Sequence, residues 1–231
     1  MSNPIFIQRE RAYEKNKNNI LKLFDEEKHI KFLDLGCDDG SWTIKMANTI
    51  GTVNVFGTEI VEDAATKAKL NGVKVSIGDL NKKIPYENDM FDVVHANQVI
   101  EHLTDTDNFI SEIYRVLKKG GYAIISTENL ASWHNIAALM FGYMPFSLTN
   151  ISSKQAALGN PFAPHAGREA TRENSWQHMR IFTLKGLQEL GQLHGFVPER
   201  VLTSGYYPFG SFFCRIDPAH SHFITVKFRK A

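Results

Sequence analysis

Five short apolar runs, each closing on a glycine or a polar residue, alternate with helix-type segments along the first 130 residues. This alternation constrains the fold more than any other feature of the chain. The runs are 31–35 (KFLDL), 53–57 (VNVFG), 73–77 (VKVSI), 91–96 (FDVVHA) and 122–126 (YAIIS). Between them, 41–50 (SWTIKMANTI) closes at Gly51 and 62–71 (EDAATKAKLN) closes at Gly72, where helix-terminating glycines belong. A third helical segment, 105–118, is predicted to stop at the pair Gly120 and Gly121, and 8–27 reads as a leading helix. Strands that alternate with helices of 10–15 residues build βαβ units, and their right-handed crossovers make a doubly wound parallel α/β sheet.

The rhythm breaks over 131–180. Its first part (ASWHNIAALMFGYMPFSL) is aromatic and apolar, and the remainder is a long polar stretch containing Pro161 and Pro164. A long irregular segment in a domain of this kind is usually functional. Regularity then returns with a helix over 183–194 and two strand-like runs, 198–207 and 223–228. With no repeat and no Pro/Gly/Ser linker, the 231 residues read as one domain carrying 131–180 as an insertion or lid.

Charge and cysteine content narrow the class. Lys plus Arg number 26 against 25 Asp plus Glu, and this net charge of +1 argues against a dedicated nucleic-acid binder. No stretch approaches the ~18 apolar residues of a membrane span, and the N-terminus lacks a signal-peptide core. The two cysteines, far apart in sequence, read as reduced thiols, so a cytoplasmic location is expected.

Open parallel sheets bind ligands at the carboxyl ends of their strands. Asp34, Gly36, Cys37, Asp38, Asp39 and Gly40 stand there after the first run, then Glu59, then Asp79. His95, Asn97 and Gln98 follow the fourth run, and Glu128 and Asn129 follow the fifth. Glycines in the first loop permit close backbone approach, and the helix that follows offers free N–H groups. Glu59, about 20 residues downstream, is placed to accept from ribose hydroxyls, and Asp79 from an exocyclic amine. These positions point to an adenosine compound. The loop lacks G-x-G-x-x-G and also G-K-[ST], and Asp38 and Asp39 would repel phosphate. Carboxylates suit a ligand bearing a sulfonium and an α-amino group.

The stretch LDLGCDDG…GTEI…GDLNKKIPYENDMFDVVHANQVIEHL…RVLKKGGYAIIS resembles the class I S-adenosylmethionine-dependent methyltransferases, in particular their UbiE/COQ5-like, type 11 branch. The resemblance covers about residues 30–130. It implies a Rossmann-like, mostly parallel seven-stranded sheet with one antiparallel strand near the C-terminus, and S-adenosylmethionine as methyl donor with S-adenosylhomocysteine as product. It also implies that Asp34, Gly36, Cys37 and Gly40 underlie the methionine part and that Glu59 holds the ribose. By the same resemblance Ile60, Asp79 and Leu80 surround the adenine, with Asn97 at the fourth-strand loop. Asp38 replaces the loop's usual middle glycine.

Methyl transfer is an in-line displacement that rests on alignment and exclusion of water, and a base is required only where the acceptor must lose a proton. His178 is the first candidate base, against a competing reading as a histidine bracing the C-terminal helix. Arg180 is a candidate anchor for an anionic acceptor, and Trp133 and Tyr143 are candidates for an apolar acceptor pocket. His102 reads as a packing feature, and the scattered His134, His165 and His178 do not form a metal signature, so no metal is expected. The expected acceptor is small or medium-sized, lipid-like or glycan, with oxygen or carbon favoured as target. The apolar insertion would serve equally as a homodimer face. Two other functions fit the same residues: another adenosine-cofactor enzyme such as an NAD-dependent one, and a non-catalytic cofactor- or partner-binding protein.

Overall fold

A computed structural model describes residues 4–164, 166 and 177–231, so His165 lies outside the described residues. Its elements in order are α1 (Pro4–Leu21), β1 (Lys31–Leu35), α2 (Ser41–Ile50), β2 (Asn54–Glu59), α3 (Glu62–Leu70), β3 (Lys74–Ile77) and β4 (Phe91–Asn97). They continue as α4 (Thr106–Val116), β5 (Leu117–Glu128), α5 (Trp133–Met140), α6 (Leu184–Leu193), β6 (Phe196–Ser204) and β7 (Phe223–Lys230). The seven strands form one sheet in the order β3-β2-β1-β4-β5-β7-β6. β1 to β5 run parallel, and β7 pairs antiparallel with both β5 and β6. This is the expected doubly wound, mostly parallel α/β architecture with one reversed strand.

Strand order reverses between β1 and β4, the inner pair from which the sheet grows outward on both sides. β1 is buried on both faces, as an inner parallel strand must be. Phe32 packs with Met46, Ile50 and Val93 under α1–α3, whereas Leu33 and Leu35 pack with Phe109, Ile113 and Val94 under α4 and α6. Fully burying each such side chain contributes about 1.5–3 kcal/mol. Asp34 shares the Phe32 face, which sets it beside its register partner His95.

α1 docks onto the carboxyl ends of the central strands through polar side chains. The buried Asn16 donates to Ser126 Oγ (2.8 Å) and Asn97 Oδ1 (3.2 Å) and accepts from Thr225 Oγ1 (2.9 Å). The helix starts earlier than the sequence suggests and ends at Leu21 rather than 27, because its burial-bearing positions end with Ile20 and Leu23.

The glycine pair does not end α4. That helix stops at Val116, and Gly120 and Gly121 lie inside β5, in a register irregularity between the pairs Phe91↔Leu117 and Val93↔Tyr122. The strand's return alongside β4 needs glycine: a Cβ on Gly121 would sit 2.8 Å from the Asp92 carbonyl oxygen. The insertion is mostly irregular. α5 spans eight residues and a short 3₁₀ turn covers Phe146–Leu148. No helix among the described residues is long and apolar enough to cross a membrane. Both cysteines are free and buried.

Candidate active site

One cavity of about 2190 Å³ opens across the carboxyl edge of the sheet, from the ends of β1–β3 to the insertion. Asp34, Gly36, Cys37, Glu59, Ile60, Asp79, Leu80 and Asn97 line its one end, and Trp133, Tyr143 and His178 its other. Gly40 and Arg180 are not on its wall. Gly40 instead lets the first loop pack on α3: at φ +79°, a Cβ there would meet the Ala68 Cα at 2.9 Å.

At the first end, carboxylates are held by donors close in the chain. Glu59 Oε1 accepts from Ile60 N–H (2.8 Å) and Val61 N–H (3.0 Å), and Oε2 accepts from Asp38 N–H (2.9 Å). A carboxylate has about four acceptor positions, so one on Oε2 stays open toward a ligand. Asp38, where the family has glycine, takes φ +45°, a left-handed conformation that Asp tolerates, so the backbone path through the loop survives the substitution. Asp34 is spent inside the protein: Oδ1 lies 2.7 Å from His95 Nδ1 and Oδ2 accepts from Thr43 Oγ1 at 2.5 Å. It braces the loop from below. Asp79 accepts from Asn81 N–H (2.9 Å) and the Asn81 amide (3.1 Å). The backbone bond from Asn81 leads in holding its carboxyl below the usual range, against a smaller burial effect.

Cys37 packs beneath the loop. Its Sγ fills space that a Cβ on Gly57 would occupy at 2.6 Å. Burial pushes its thiol well above the ordinary value, with Asp34 and Glu59 adding to the effect, so it is inert as a nucleophile. Ile60 is half exposed at the cavity edge, as an apolar platform for a flat ring would be.

The second end gathers residues from six distant segments. Glu101 and His102 follow β4, Glu128 ends β5, His134 lies on α5, His178 precedes α6, His222 precedes β7, and Arg9 reaches in from α1. Glu128 Oε1 stands 3.6 Å from both Arg9 Nη2 and His222 Nε2. Burial pushes the Glu128 carboxyl up, but His222, His178 and Arg9 outweigh it and hold the group well below the usual range. At Glu101 the balance is reversed: burial outweighs the lowering by His178 and raises the carboxyl to about 7. Burial lowers His102 to about 4, with His178 adding to the effect. Burial, then His222, holds His134 well below the ordinary range.

Sequence reasoning found His178 here and missed Glu101, Glu128, His134, His222 and Arg9 as one group. Only Glu128, at a strand's carboxyl end, carried a sequence signal. Tyr13 of the leading helix lines the cavity and Arg11 does not. Arg180 turns its guanidinium to the Thr104 carbonyl (2.7 Å). An anchoring role in the cavity is thus not carried forward. Trp133 Nε1 donates to Tyr206 OH (2.7 Å), which fixes the base of α5.

The donor set fits a cationic adenosine compound rather than a phosphate carrier. The carboxylates of Asp34, Asp38, Asp39 and Glu59 line the first loop, and, among the described residues, Trp42 Nε1, His95 Nε2 and Gln98 Nε2 are buried beside it with no partner. Buried polar atoms without partners are rare in folded proteins and mark places where a ligand or water completes the bonding.

Comparison with known proteins accords with this geometry. A family model described as a methyltransferase domain matches residues 7–201. Among curated proteins, demethylmenaquinone methyltransferase of Bacillus cytotoxicus is 26% identical over 84% of this chain and 78% of its own length. Ubiquinone biosynthesis O-methyltransferase of Pelagibacter ubique is 32% identical over 49% of this chain and 50% of its own. Among solved structures, a SAM-dependent methyltransferase of Thermotoga maritima superposes with a TM-score of 0.64 at 17% identity, covering 96% of this chain and 90% of that one.

Proposed function

We propose, for a chain that belongs to the class I S-adenosylmethionine-dependent methyltransferases, that the acceptor is a small or medium-sized lipid-like molecule methylated on oxygen or carbon. Its cofactor is S-adenosylmethionine, which when bound supplies an electrophilic methyl group on a sulfonium sulfur. The single observation behind the acceptor assignment is the continuity of the cavity. The carboxylate edge and the aromatic insertion line one space, so donor and acceptor would meet without crossing solvent.

In this reading Glu59 takes the ribose hydroxyls with its open acceptor position, and Asp79 takes the exocyclic amine. Ile60 and Leu80 flank the adenine. Gly36, Cys37 and Gly40 shape the loop under the methionine part, and Asn97, held by α1, closes it from the β4 side. Residues 131–180 act within a single domain as the cover of the acceptor end, with Trp133, Phe141, Tyr143 and Phe162 on its wall. These rings are 38–77% exposed and can therefore turn apolar surface toward a bound acceptor. His178, with Glu101 beside it, receives the proton an acceptor hydroxyl or acidic carbon must lose. Relatives named for demethylmenaquinone and ubiquinone biosynthesis support a quinone-like ring. Buried, unpaired Cys37 and Cys214 suit a reducing cytoplasm.

The test is methyl transfer from labelled S-adenosylmethionine to a panel of hydroxylated quinone precursors, other lipophilic phenols, glycans and amines. Label on the ring acceptors, lost in His178→Ala, is the expected result. Label confined to glycans or amines would replace the acceptor class.

A further inference from the structure

We propose that Glu101, His102 and His178 form a binding site for a divalent transition-metal ion at the acceptor end of the cavity. One ligand atom from each of the three lies within 4.8 Å of the others, and all three side chains line the cavity. Adjacent ligands around one ion at bond lengths of ~2.0–2.2 Å stand roughly 3–3.5 Å apart, so the triad is close to the spacing an ion requires.

The hydrogen bonds around the triad fix what each ring presents. His102 Nδ1 lies 3.1 Å from the Gln177 carbonyl oxygen, and His178 Nδ1 lies 2.6 Å from the Ser147 carbonyl oxygen. A carbonyl only accepts, so the proton of each neutral ring sits on Nδ1 and each Nε2 turns out a lone pair. This is the outer bonding that orients metal-bound imidazoles. The rings meet edge to face with centroids 4.9 Å apart. Glu101 is fully buried. Its Oε2 accepts from Thr127 Oγ1 (3.0 Å), while its Oε1 has no donor among the described residues.

Glu101 Oε1 and the two Nε2 lone pairs are thus acceptors of one cluster, with no donor to Oε1 among the described residues. The arrangement is also fastened from behind: Met179 N–H and Arg180 N–H both donate to the Glu101 carbonyl, at 2.7 and 3.2 Å. This bond pair carries the segment bearing His178 onto the 3₁₀ turn bearing Glu101. Residues 77 positions apart in sequence, Glu101 and His178, are therefore held as a unit that spacing rules for metal motifs do not see. Two imidazoles and one carboxylate, with open positions toward a cavity, select Mn²⁺, Fe²⁺, Co²⁺, Ni²⁺ or Zn²⁺ over the oxygen-preferring Mg²⁺ and Ca²⁺.

The inference deepens the methyltransferase reading and rests on it for its use. With the ion bound, His178 acts as a ligand in place of the base of the metal-free reading: an acceptor hydroxyl coordinated to the ion would bind as its oxyanion, its proton passing to water. Transfer then forms the C–O bond and breaks the C–S bond, whose electron pair neutralises the sulfonium. The acceptor class narrows to molecules that offer an oxygen ligand.

The experiment is titration of the chelator-stripped chain with Co²⁺, read by calorimetry and by visible d–d absorption, with no acceptor present. Saturable 1:1 binding is expected, weakened at least a hundredfold in His102→Ala, His178→Ala and Glu101→Gln. It should be unchanged in His194→Ala, a surface histidine bonded to Asp107. Circular dichroism confirms that each variant is folded, and Thr127→Val, which removes only the outer bond to Glu101, should weaken binding about tenfold. No saturable Co²⁺ binding by the wild type, or equal binding by all variants, overturns the site. An S-adenosylmethionine-dependent rise in melting temperature, measured on the same samples, separates the two readings. Its presence without Co²⁺ binding rejects the metal site alone, and its absence with Co²⁺ binding keeps the site and rejects the methyltransferase role.

Discussion

The two ends of the cavity are built on opposite principles. At the cofactor end, Glu59 accepts three backbone N–H groups and Asp79 accepts the backbone N–H and side-chain amide of Asn81, most of these donors one or two residues away. At the acceptor end, buried atoms such as Glu101 Oε1 and His134 Nδ1 have no donor, and Glu128 relies on charges brought from α1 and from the start of β7. The first end is prearranged before any ligand arrives. Among the described residues both ends hold buried atoms without partners, Trp42 Nε1, His95 Nε2 and Gln98 Nε2 at the first. But the second leaves a buried carboxylate oxygen, Glu101 Oε1, without a donor, a costly state that folding alone does not reward. Function is the simplest reason for it to persist.

The contrast should be sharpest for Glu101→Gln. This change should lower methyl transfer by about 10²–10⁴-fold by removing a proton acceptor and ligand, and should leave cofactor affinity within about twofold. Its effect on stability should have the opposite sign. Because burial raises this carboxyl from 4.5 to about 7, the folded protein holds a proton that the unfolded chain has already released across that window. Stability therefore falls as pH rises from 4.5 to 7, and the neutral amide escapes the loss. Above pH 7, with chelator present, thermal unfolding should find Glu101→Gln more stable by as much as about 3 kcal/mol. An equal loss of activity and stability would mean that Glu101 merely supports the fold.

The outer wall of the cofactor end should behave in the ordinary way. Glu112 takes a paired contact from Arg115, at 2.7 Å on each oxygen, and also the Ile84 N–H at 2.7 Å. It thereby fastens the loop that follows Asp79. Glu112→Ala should cost about 2 kcal/mol in chemical denaturation at pH 7. Arg115 leads in holding this carboxyl below its usual range. The contribution is thus fully present above the unfolded value, near 4.3, and is lost as pH falls through the lowered one. The gap between wild type and variant should close on acidification, opposite to the trend at Glu101. A smaller effect is expected for Asp79→Asn, about tenfold in cofactor affinity by calorimetry, with acceptor turnover at saturating cofactor unchanged.

The same contrast explains what could be read from sequence. Each strand of the parallel half announces itself by an apolar run and a polar end, and the carboxylates that matter stand at those ends. Several partners of Glu59 and Asp79 lie one or two residues away in the chain. His102, beside Glu101 in the EHL segment, reads as packing, because nothing local says that His178 will be pinned against this segment by the Met179 and Arg180 amides. Arg180 attracts attention for its charge, whereas its backbone N–H does the positioning. The Gly120 and Gly121 pair signals a helix stop, but the close approach to Asp92 O is a tertiary demand that local propensity does not express. Long-range assembly is what sequence pattern cannot show.

The most direct test of the account is calorimetric titration of S-adenosylhomocysteine into the wild-type chain, Glu59→Ala and Glu101→Gln. Glu59→Ala strips the ribose acceptor and strands the N–H groups of Asp38, Ile60 and Val61, so a loss of at least a hundredfold is expected. Glu101→Gln should bind as the wild type does. Absence of binding to the wild type, or equal losses in both variants, would contradict a prearranged cofactor end that is separate from the acceptor end.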